Sequence, residues 1–280
     1  MAILLDGKKV AEHIEAQVRE TLAALGRPAA RLVGVCVGES PAACVYLKSQ
    51  AKLAGELGIT YHLEVLPQSA TQEEVAGVLR GLNKDAATTG VILQAPLPQG
   101  LDARSLRAVI APEKDAEGIH PSNLGAVVLG GGRVLPCTAA ACMEILRAYD
   151  VPLRGREAVV VGHSEIVGKP LALMLLKEFA TTTVCHIATS EAGRLEEHVR
   201  RADVLIVAVG KPGVVPGEWV KEGAAVLDVG INRLASGVVG DVVFESASRR
   251  AACITPVPGG VGPVTVAMLM KNTVGLLQKH

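Results

Sequence analysis

Ala158-Val159-Val160-Val161-Gly162-His163-Ser164-Glu165-Ile166-Val167-Gly168-Lys169-Pro170 is the stretch on which the reading of this chain turns. Its four leading apolar residues read as a strand buried on both faces, as in a parallel sheet. Gly162 directly after the strand permits a tight turn. Gly168, at the start of a predicted helix over 167–178, lets backbone N–H groups approach an anion such as a pyrophosphate. The spacing is G-x-S-x-x-x-G rather than G-x-G-x-x-G, so on its own it leaves ordinary turn glycines open. Two later strand ends repeat the pattern, Val207-Ala208-Val209-Gly210-Lys211-Pro212 and Leu227-Asp228-Val229-Gly230. Three glycine-bearing strand ends on one sheet point to a ligand lying across them.

Outward from that stretch, strands and helices alternate. Thr138 is expected to cap a helix running to about Tyr149. Strands are expected over 183–186, 204–209 and 225–229, and helices over 195–201 and 264–277. In the first half, Val10, Ile14, Val18, Leu22 and Leu25 fall at helical spacing. Leu32–Val37 reads as a buried strand. Ser40 followed by Pro41 reads as an N-cap and first-turn proline of a helix closed by Gly58. Ile59–Leu66 and Val91–Gln94 are further strands, and Thr71 with Glu74 forms a capping box between them. The order βαβαβ predicts parallel strands with right-handed crossovers. The fold class is therefore α/β, with two α/β units joined near residues 120–140. The Gly-rich span 115–132 is the expected hinge. Ligands of such sheets bind beyond the carboxyl ends of the strands.

At 280 residues the chain is long enough for two domains. Hydrophobic residues at 49% and charged residues at 20% exclude a disordered chain. Lys+Arg 28 balances Asp+Glu 28, and aromatics are 2%, so no nucleic-acid partner is expected. No apolar run approaches the roughly 18 residues of a membrane span. Ile3–Leu5 meets Asp6 at once, and Glu12, Glu15 and Glu20 follow, so neither a signal nor a transit peptide is expected. The expected location is cytoplasmic, away from any membrane. The six cysteines (Cys36, Cys44, Cys137, Cys142, Cys185, Cys253) form no CxxC and read as reduced thiols, five of them in or beside apolar stretches. No metal site is expected.

Several segments together resemble the methylenetetrahydrofolate dehydrogenase/cyclohydrolase family: Gly90–Pro98, Pro112–Asp115, Val161–Pro170, Ala202–Pro212, Asp228–Arg233, Gly240–Ser246 and Thr255–Thr265. The last, TPVPGGVGPVT, is the most specific. The resemblance spans essentially the whole chain. It implies an N-terminal folate-binding domain (1–138, completed by a C-terminal helix over 264–280) and a Rossmann-like NAD(P)-binding domain (139–263), with the active site in the cleft between. It implies a homodimer, a tetrahydrofolate derivative as substrate and a place in one-carbon metabolism, where a partner enzyme is conceivable. The family's first reaction moves a hydride from 5,10-methylenetetrahydrofolate to the dinucleotide. The second hydrolyses the resulting 5,10-methenyltetrahydrofolate to 10-formyltetrahydrofolate.

The resemblance also implies site residues. The family's Tyr-x-x-x-Lys-x-Lys reads here Tyr46-Leu47-Lys48-Ser49-Gln50-Ala51-Lys52. Tyr46 and Lys52 match, and Gln50 stands where the family has its catalytic lysine. Tyr46 and Gln50 share a helix face, while Lys48 and Lys52 share another. Gln94 matches the family's active-site glutamine. Asp115-Ala116-Glu117-Gly118 replaces Asp-Val-Asp-Gly, so Glu117 takes the pterin-binding position with one methylene more. Pro258, Gly259 and Gly260 match a substrate-facing loop. The cofactor residues implied are Gly162, His163, Ser164, Gly168, Val209, Gly210, Lys211, Gly230 and Ile231. His163 stands where NADP-using members often carry Arg, and Ile187 where they often carry Ser or Arg. NADP is the family default, with NAD as the alternative; Lys169 and Arg194 are the nearest other cations in sequence.

A lysine of depressed pKa can shuttle protons near neutral pH, and a carboxamide cannot. The expectation is a dehydrogenase whose cyclohydrolase activity is weak or absent. The alternatives are the fully bifunctional enzyme, with Lys48, Lys52 or a water relay in place of the lost base, and a non-catalytic subunit that binds folate or dinucleotide.

Overall fold

The computed structural model describes residues 2–38, 41–235 and 237–278, and for residues 41–45 the backbone alone. The expected N-cap Ser40 lies outside these residues, as does the side chain of Cys44. The described chain forms two compact units: one of Met1–Glu12 with Thr138–Thr265, the other of His13–Cys137 with Val266–His280.

The second unit is built on a three-stranded parallel sheet of β2 (Arg31–Val37), β3 (Thr60–Leu66) and β4 (Gly90–Leu93), in the order β3-β2-β4. Between and around the strands run α1 (Gly7–Ala24), α2 (Pro41–Glu56), α3 (Gln72–Lys84), α4 (Ala103–Arg107) and α5 (Pro121–Val128). Val33, Val35 and Val37 alternate onto one face and pack with Val75 and Leu79 of α3. Leu32, Gly34 and Cys36 fall on the opposite face. The capping box is present: Thr71 Oγ1 accepts from the Glu74 N–H, and the Glu74 carboxylate accepts from the Thr71 N–H. Because β3 and β4 flank β2 on opposite sides, the strand order reverses between β2 and β4.

The other unit carries a six-stranded, all-parallel sheet in the order β1-β11-β8-β7-β5-β6. Its strands are β1 (Ile3–Leu4), β5 (Glu157–Val161), β6 (Thr181–Cys185), β7 (Val204–Val207), β8 (Ala225–Asp228) and β11 (Cys253–Ile254). The helices are α6 (Cys137–Ala148), α7 (Gly168–Lys177), α8 (Ile187–Glu191), α9 (Leu195–Arg201) and α10 (Phe244–Ala247), while α11 (Val261–Gly275) starts in this unit and continues from Val266 in the three-stranded one. A hairpin of β9 (Asn232–Leu234) and β10 (Gly237–Val239) stands apart from the sheet. Val159, Leu205, Val226 and Ile254 form the spine of the core, with Leu195, Val199 and Val220 against it. Here the strand order reverses between β5 and β7, the place where such sheets bind ligands.

Three expectations change. Residues 1–12 belong with the six-stranded unit rather than with 13–137. Ile3 N–H and Leu5 N–H donate to the Ala252 and Ile254 carbonyls, adding β1 to the sheet edge; a two-residue strand is too short to show a period. The expected hinge over 115–132 contains α5. Pro121 opens that helix, and His120 Nδ1 accepts from the Ser122 N–H. The chain passes between the units inside α1, at the start of α6 and inside α11. Thr138 lies within the first turn of α6, which begins at Cys137, and so is not its N-cap.

Candidate functional site

In the six-stranded unit the loops beyond β5, β7 and β8 lie at the carboxyl ends of neighbouring strands. Gly162 has φ +126°, a conformation side chains rarely adopt, and a β-carbon there would strike the Ala208 carbonyl. A β-carbon on Gly168 would overlap the Gly162 carbonyl. The two glycines therefore let the turn after β5 pass close to the turn after β7 and let α7 seat on its own strand. Ser164 Oγ accepts from the Val167 N–H and shapes the turn. His163 is exposed, with its ring 5.3 Å from that of His186 at the end of β6. Lys169 pairs with Glu165 at 3.7 Å, and Arg194 with Glu197 at 3.2 Å, so both cations already face carboxylates.

Two buried carboxylates hold the remaining loops. Asp241 Oδ2 accepts from the Val209 and Gly210 N–H groups at 2.7 and 2.8 Å, and its Oδ1 accepts from Asn232 Nδ2 at 2.9 Å. Asp228 accepts from the backbone N–H of Gly230, Asp241 and Val242. Gly230 and Gly240 have no room for a β-carbon against these two carboxylates. Val209 and Ile231 remain largely exposed beside them, as does Lys211. The sequence reading gave Asp228 and Asp241 no role; their signal is an acidic residue in an apolar, glycine-flanked run. Closer to the chain start, Gly259 (φ +104°) accepts from the Gly7 N–H, and a β-carbon on Gly260 would meet the Pro256 carbonyl at 2.6 Å. Pro258 follows a cis peptide bond. The backbone at Pro258, Gly259 and Gly260 is thus tightly fitted within this unit.

In the three-stranded unit, Gln50 is 4% exposed. Its Oε1 accepts from Tyr61 Oη at 3.0 Å and from Gln94 Nε2 at 2.9 Å. Gln94 extends β4 beyond Leu93, its N–H donating to the Val35 carbonyl. Gln50 and Gln94, 44 residues apart, are thereby brought together. Tyr61 joins them, and the sequence reading missed it; on β3 it looks like any aromatic strand residue. Burial and the neighbouring Cys36 push its hydroxyl up to about 12, against a lowering bond from Gln94. Tyr46 is half-buried, and burial raises its hydroxyl too. Lys48 is exposed, and Lys52 is 79% exposed and 3.8 Å from Glu56. The two lysines lie on the outer face of α2.

Glu117 follows Asp115, whose carboxylate accepts from the Gly118 and His120 N–H groups and from Asn123 Nδ2. Burial pushes the Glu117 carboxyl up to about 8; nearby Arg107 opposes this and Asp115 adds to it. Arg107 Nε is buried without a partner, a donor whose chemistry suits an anion beside it. Among the described residues, no cluster of three or more His, Cys, Asp or Glu could hold a metal ion. Among the described residues, no helix is long and apolar enough to cross a membrane.

Glycine-fitted strand ends at the reversal point of a parallel sheet define a dinucleotide-binding α/β protein. Comparison with known proteins narrows this. Residues 5–117 match the model of the tetrahydrofolate dehydrogenase/cyclohydrolase catalytic domain, and residues 136–280 that of the family's NAD(P)-binding domain. The bifunctional protein FolD of Nitrosospira multiformis is 46% identical over 98% of this chain and 95% of its own. The FolD methylenetetrahydrofolate dehydrogenase/cyclohydrolase of Campylobacter jejuni superposes with a TM-score of 0.92 at 42% identity, covering 99% of this chain and 98% of that one. That of Trypanosoma brucei, solved with NADP and an inhibitor, gives 0.93 at 39% identity over 98% and 97%. The chain belongs to the tetrahydrofolate dehydrogenase/cyclohydrolase family.

Proposed function

We propose that this chain oxidises 5,10-methylenetetrahydrofolate with NAD(P)⁺ and hydrolyses the methenyl product weakly or not at all. The fit of Gly162 and Gly168 against backbone supports dinucleotide binding, with Ser164 and the start of α7 toward the pyrophosphate. When bound, NAD(P)⁺ supplies the hydride acceptor. Val209, Gly210, Lys211, Gly230 and Ile231 would flank it, and His163 the adenosine end, with NADP taken as the partner and NAD as the alternative. Tyr46 packs on the folate, Glu117 pairs with the amino-pyrimidine edge of the pterin, and Gln50 donates to it. Pro258, Gly259 and Gly260 keep the substrate-facing role that the resemblance gives them.

The observation that carries the reading is the engagement of Gln50. Attack of water on the methenyl carbon forms a C–O bond as the C=N π pair moves onto nitrogen, and releases a proton that a base must take and return to N5 as the C–N5 bond breaks to give the 10-formyl product. Gln50 has no titratable proton near neutrality, and its oxygen already holds two bonds. Tyr46 and Tyr61 have hydroxyls raised further from neutrality. Lys48 and Lys52 lie on the outer face of the helix. Hydride transfer needs no such base, so it survives. The bifunctional names of the relatives favour a second reading, in which hydrolysis persists. On the family resemblance, the chain acts as a cytoplasmic homodimer in one-carbon metabolism, where a partner enzyme could consume the methenyl product.

One assay separates the readings. The protein is mixed with 5,10-methylenetetrahydrofolate and NADP⁺, then NAD⁺, and reduced dinucleotide and methenyl product are followed together. Methenyl product accumulating in step with reduced dinucleotide supports the proposal. Methenyl clearing faster than in an enzyme-free control overturns it in favour of the bifunctional enzyme. No reduction at all leaves a binding subunit.

A further inference from the structure

We propose that Tyr61 is a positioning residue for the folate reaction, acting through Gln50; this rests on the reading that Gln50 contacts the folate. Tyr61 sits on β3 opposite Leu32 of β2, and its ring lies over Gly34. A β-carbon at Gly34 would collide with the Tyr61 hydroxyl, and would also crowd Gln94 Nε2 at 3.3 Å. The absence of a side chain at position 34 is what lets that hydroxyl reach Gln50.

A carboxamide oxygen accepts two hydrogen bonds, and its nitrogen can only donate. With Tyr61 Oη and Gln94 Nε2 both on Gln50 Oε1, the group left to meet a ligand is the N–H₂ end. Gln94 Nε2, a donor only, sets this polarity, and the Tyr61 hydroxyl adds the second bond that holds the oxygen in place. Position 50 then recognises an acceptor atom of the substrate, a carbonyl oxygen or a ring-nitrogen lone pair, and disfavours a donor. Held by Gln94 alone, the amide keeps one anchor in place of two and is less firmly placed for the ligand. Gln50 and Tyr61 are 11 positions apart, across the end of α2 and the turn into β3, so the pair is joined by the fold and not by a motif.

The test is a double-mutant cycle on the full chain: wild type, Tyr61→Phe, Gln50→Ala and the double variant. Phenylalanine keeps the ring over Gly34 and removes only the hydroxyl. The readouts are kcat and KM for 5,10-methylenetetrahydrofolate at saturating NAD(P)⁺, KM for the dinucleotide, and melting temperature. Tyr61→Phe is expected to lower kcat/KM for the folate by about fivefold, the scale of one neutral hydrogen bond, with dinucleotide KM unchanged. In the Gln50→Ala background the same change is expected to have no further effect. Loss of kcat/KM in Gln50→Ala without loss in Tyr61→Phe overturns the role of Tyr61 and leaves the folate contact standing. Effects that add in full across the cycle also overturn it, because Tyr61 would then act elsewhere. Unchanged folate kinetics in Gln50→Ala overturn the folate contact itself, and the proposal with it. Calorimetric folate binding well below the lowest melting temperature keeps the comparison valid if Tyr61→Phe is less stable.

Discussion

Gln50→Lys should restore hydrolysis, and the structure sets how much. The new ammonium would replace a side chain that is 4% exposed and whose oxygen accepts from Tyr61 and Gln94. An ammonium only donates, so both partners must change sense. The Tyr61 hydroxyl can accept without moving, and Gln94 must turn its amide to present Oε1. Two neutral bonds of about 1 kcal/mol each are disturbed, which for a chain of this size lowers the melting temperature by about 4–8 °C. Burial disfavours the charged form and moves the lysine toward neutrality, where proton transfer is most useful. General acid–base catalysis contributes about 10²–10⁴-fold. The lower end is expected here, because Tyr61 solvates the ammonium and opposes its deprotonation. Methenyl clearance in Gln50→Lys should therefore exceed wild type by about 10²-fold, or about 2.7 kcal/mol in the barrier. Gln50→Met, of similar size and without a proton to give, should show no gain. The assay is the decay of added methenyltetrahydrofolate against an enzyme-free control, with dehydrogenase turnover confirming the folded site. A Gln50→Lys variant that stays folded and reduces NAD(P)⁺, yet clears methenyl no faster than wild type, would falsify the account of Gln50 as the lost base.

Three further outcomes follow from other parts of the structure. Glu117 is raised from 4.5 to about 8, so between those values the unfolded chain releases a proton the folded chain keeps. Wild type should lose stability relative to Glu117→Gln as pH rises through that window, by at most about 1.4 kcal/mol per pH unit. Denaturant midpoints at several pH values measure this, and parallel curves for the two proteins would contradict it. Asp228, raised by burial to about 6, acts in the same direction in both proteins and cancels. Gly168→Ala forces a methyl into the Gly162 carbonyl; overpacking of this kind costs about 1–3 kcal/mol, and thermal melts should fall with a weakened dinucleotide KM. Asp241→Ala removes the acceptor of the Val209, Gly210 and Asn232 donors. Dinucleotide KM should rise at least about tenfold while direct folate binding, measured without dinucleotide, stays the same.

The local record in the chain was informative wherever a period or a cap could write it. The apolar run Leu32–Val37 lies in β2, Thr71 and Glu74 close a capping box, and 195–201 is a helix in the structure over the same residues. The exchange of Lys for Gln50 and of Asp for Glu117 was likewise visible from the resemblance. Short or irregular elements were not. β1 and β11 have two residues each, and α5 hides in a span whose glycines resemble a hinge. Tyr61 and Arg107 gave no signal of a role, since nothing local distinguishes them from ordinary strand or surface residues, and the acidic residue in an apolar, glycine-flanked run at Asp228 and Asp241 says nothing of the distant loops each one holds.

By itself the sequence determined the two α/β units, the glycine turns after the strands and the missing amine at position 50, because backbone conformation and side-chain chemistry are properties of single residues and near neighbours. Only the tertiary structure decided which strands flank β2 and β5, and hence where each sheet reverses. It alone set Tyr61 and Gln94 on one oxygen of Gln50, and Asp241 under the Val209–Gly210 turn 31 and 32 residues away. Those pairings arise from strand order and from the space left at Gly34, Gly230 and Gly240. No local period encodes a contact between residues that meet only when the sheet is assembled.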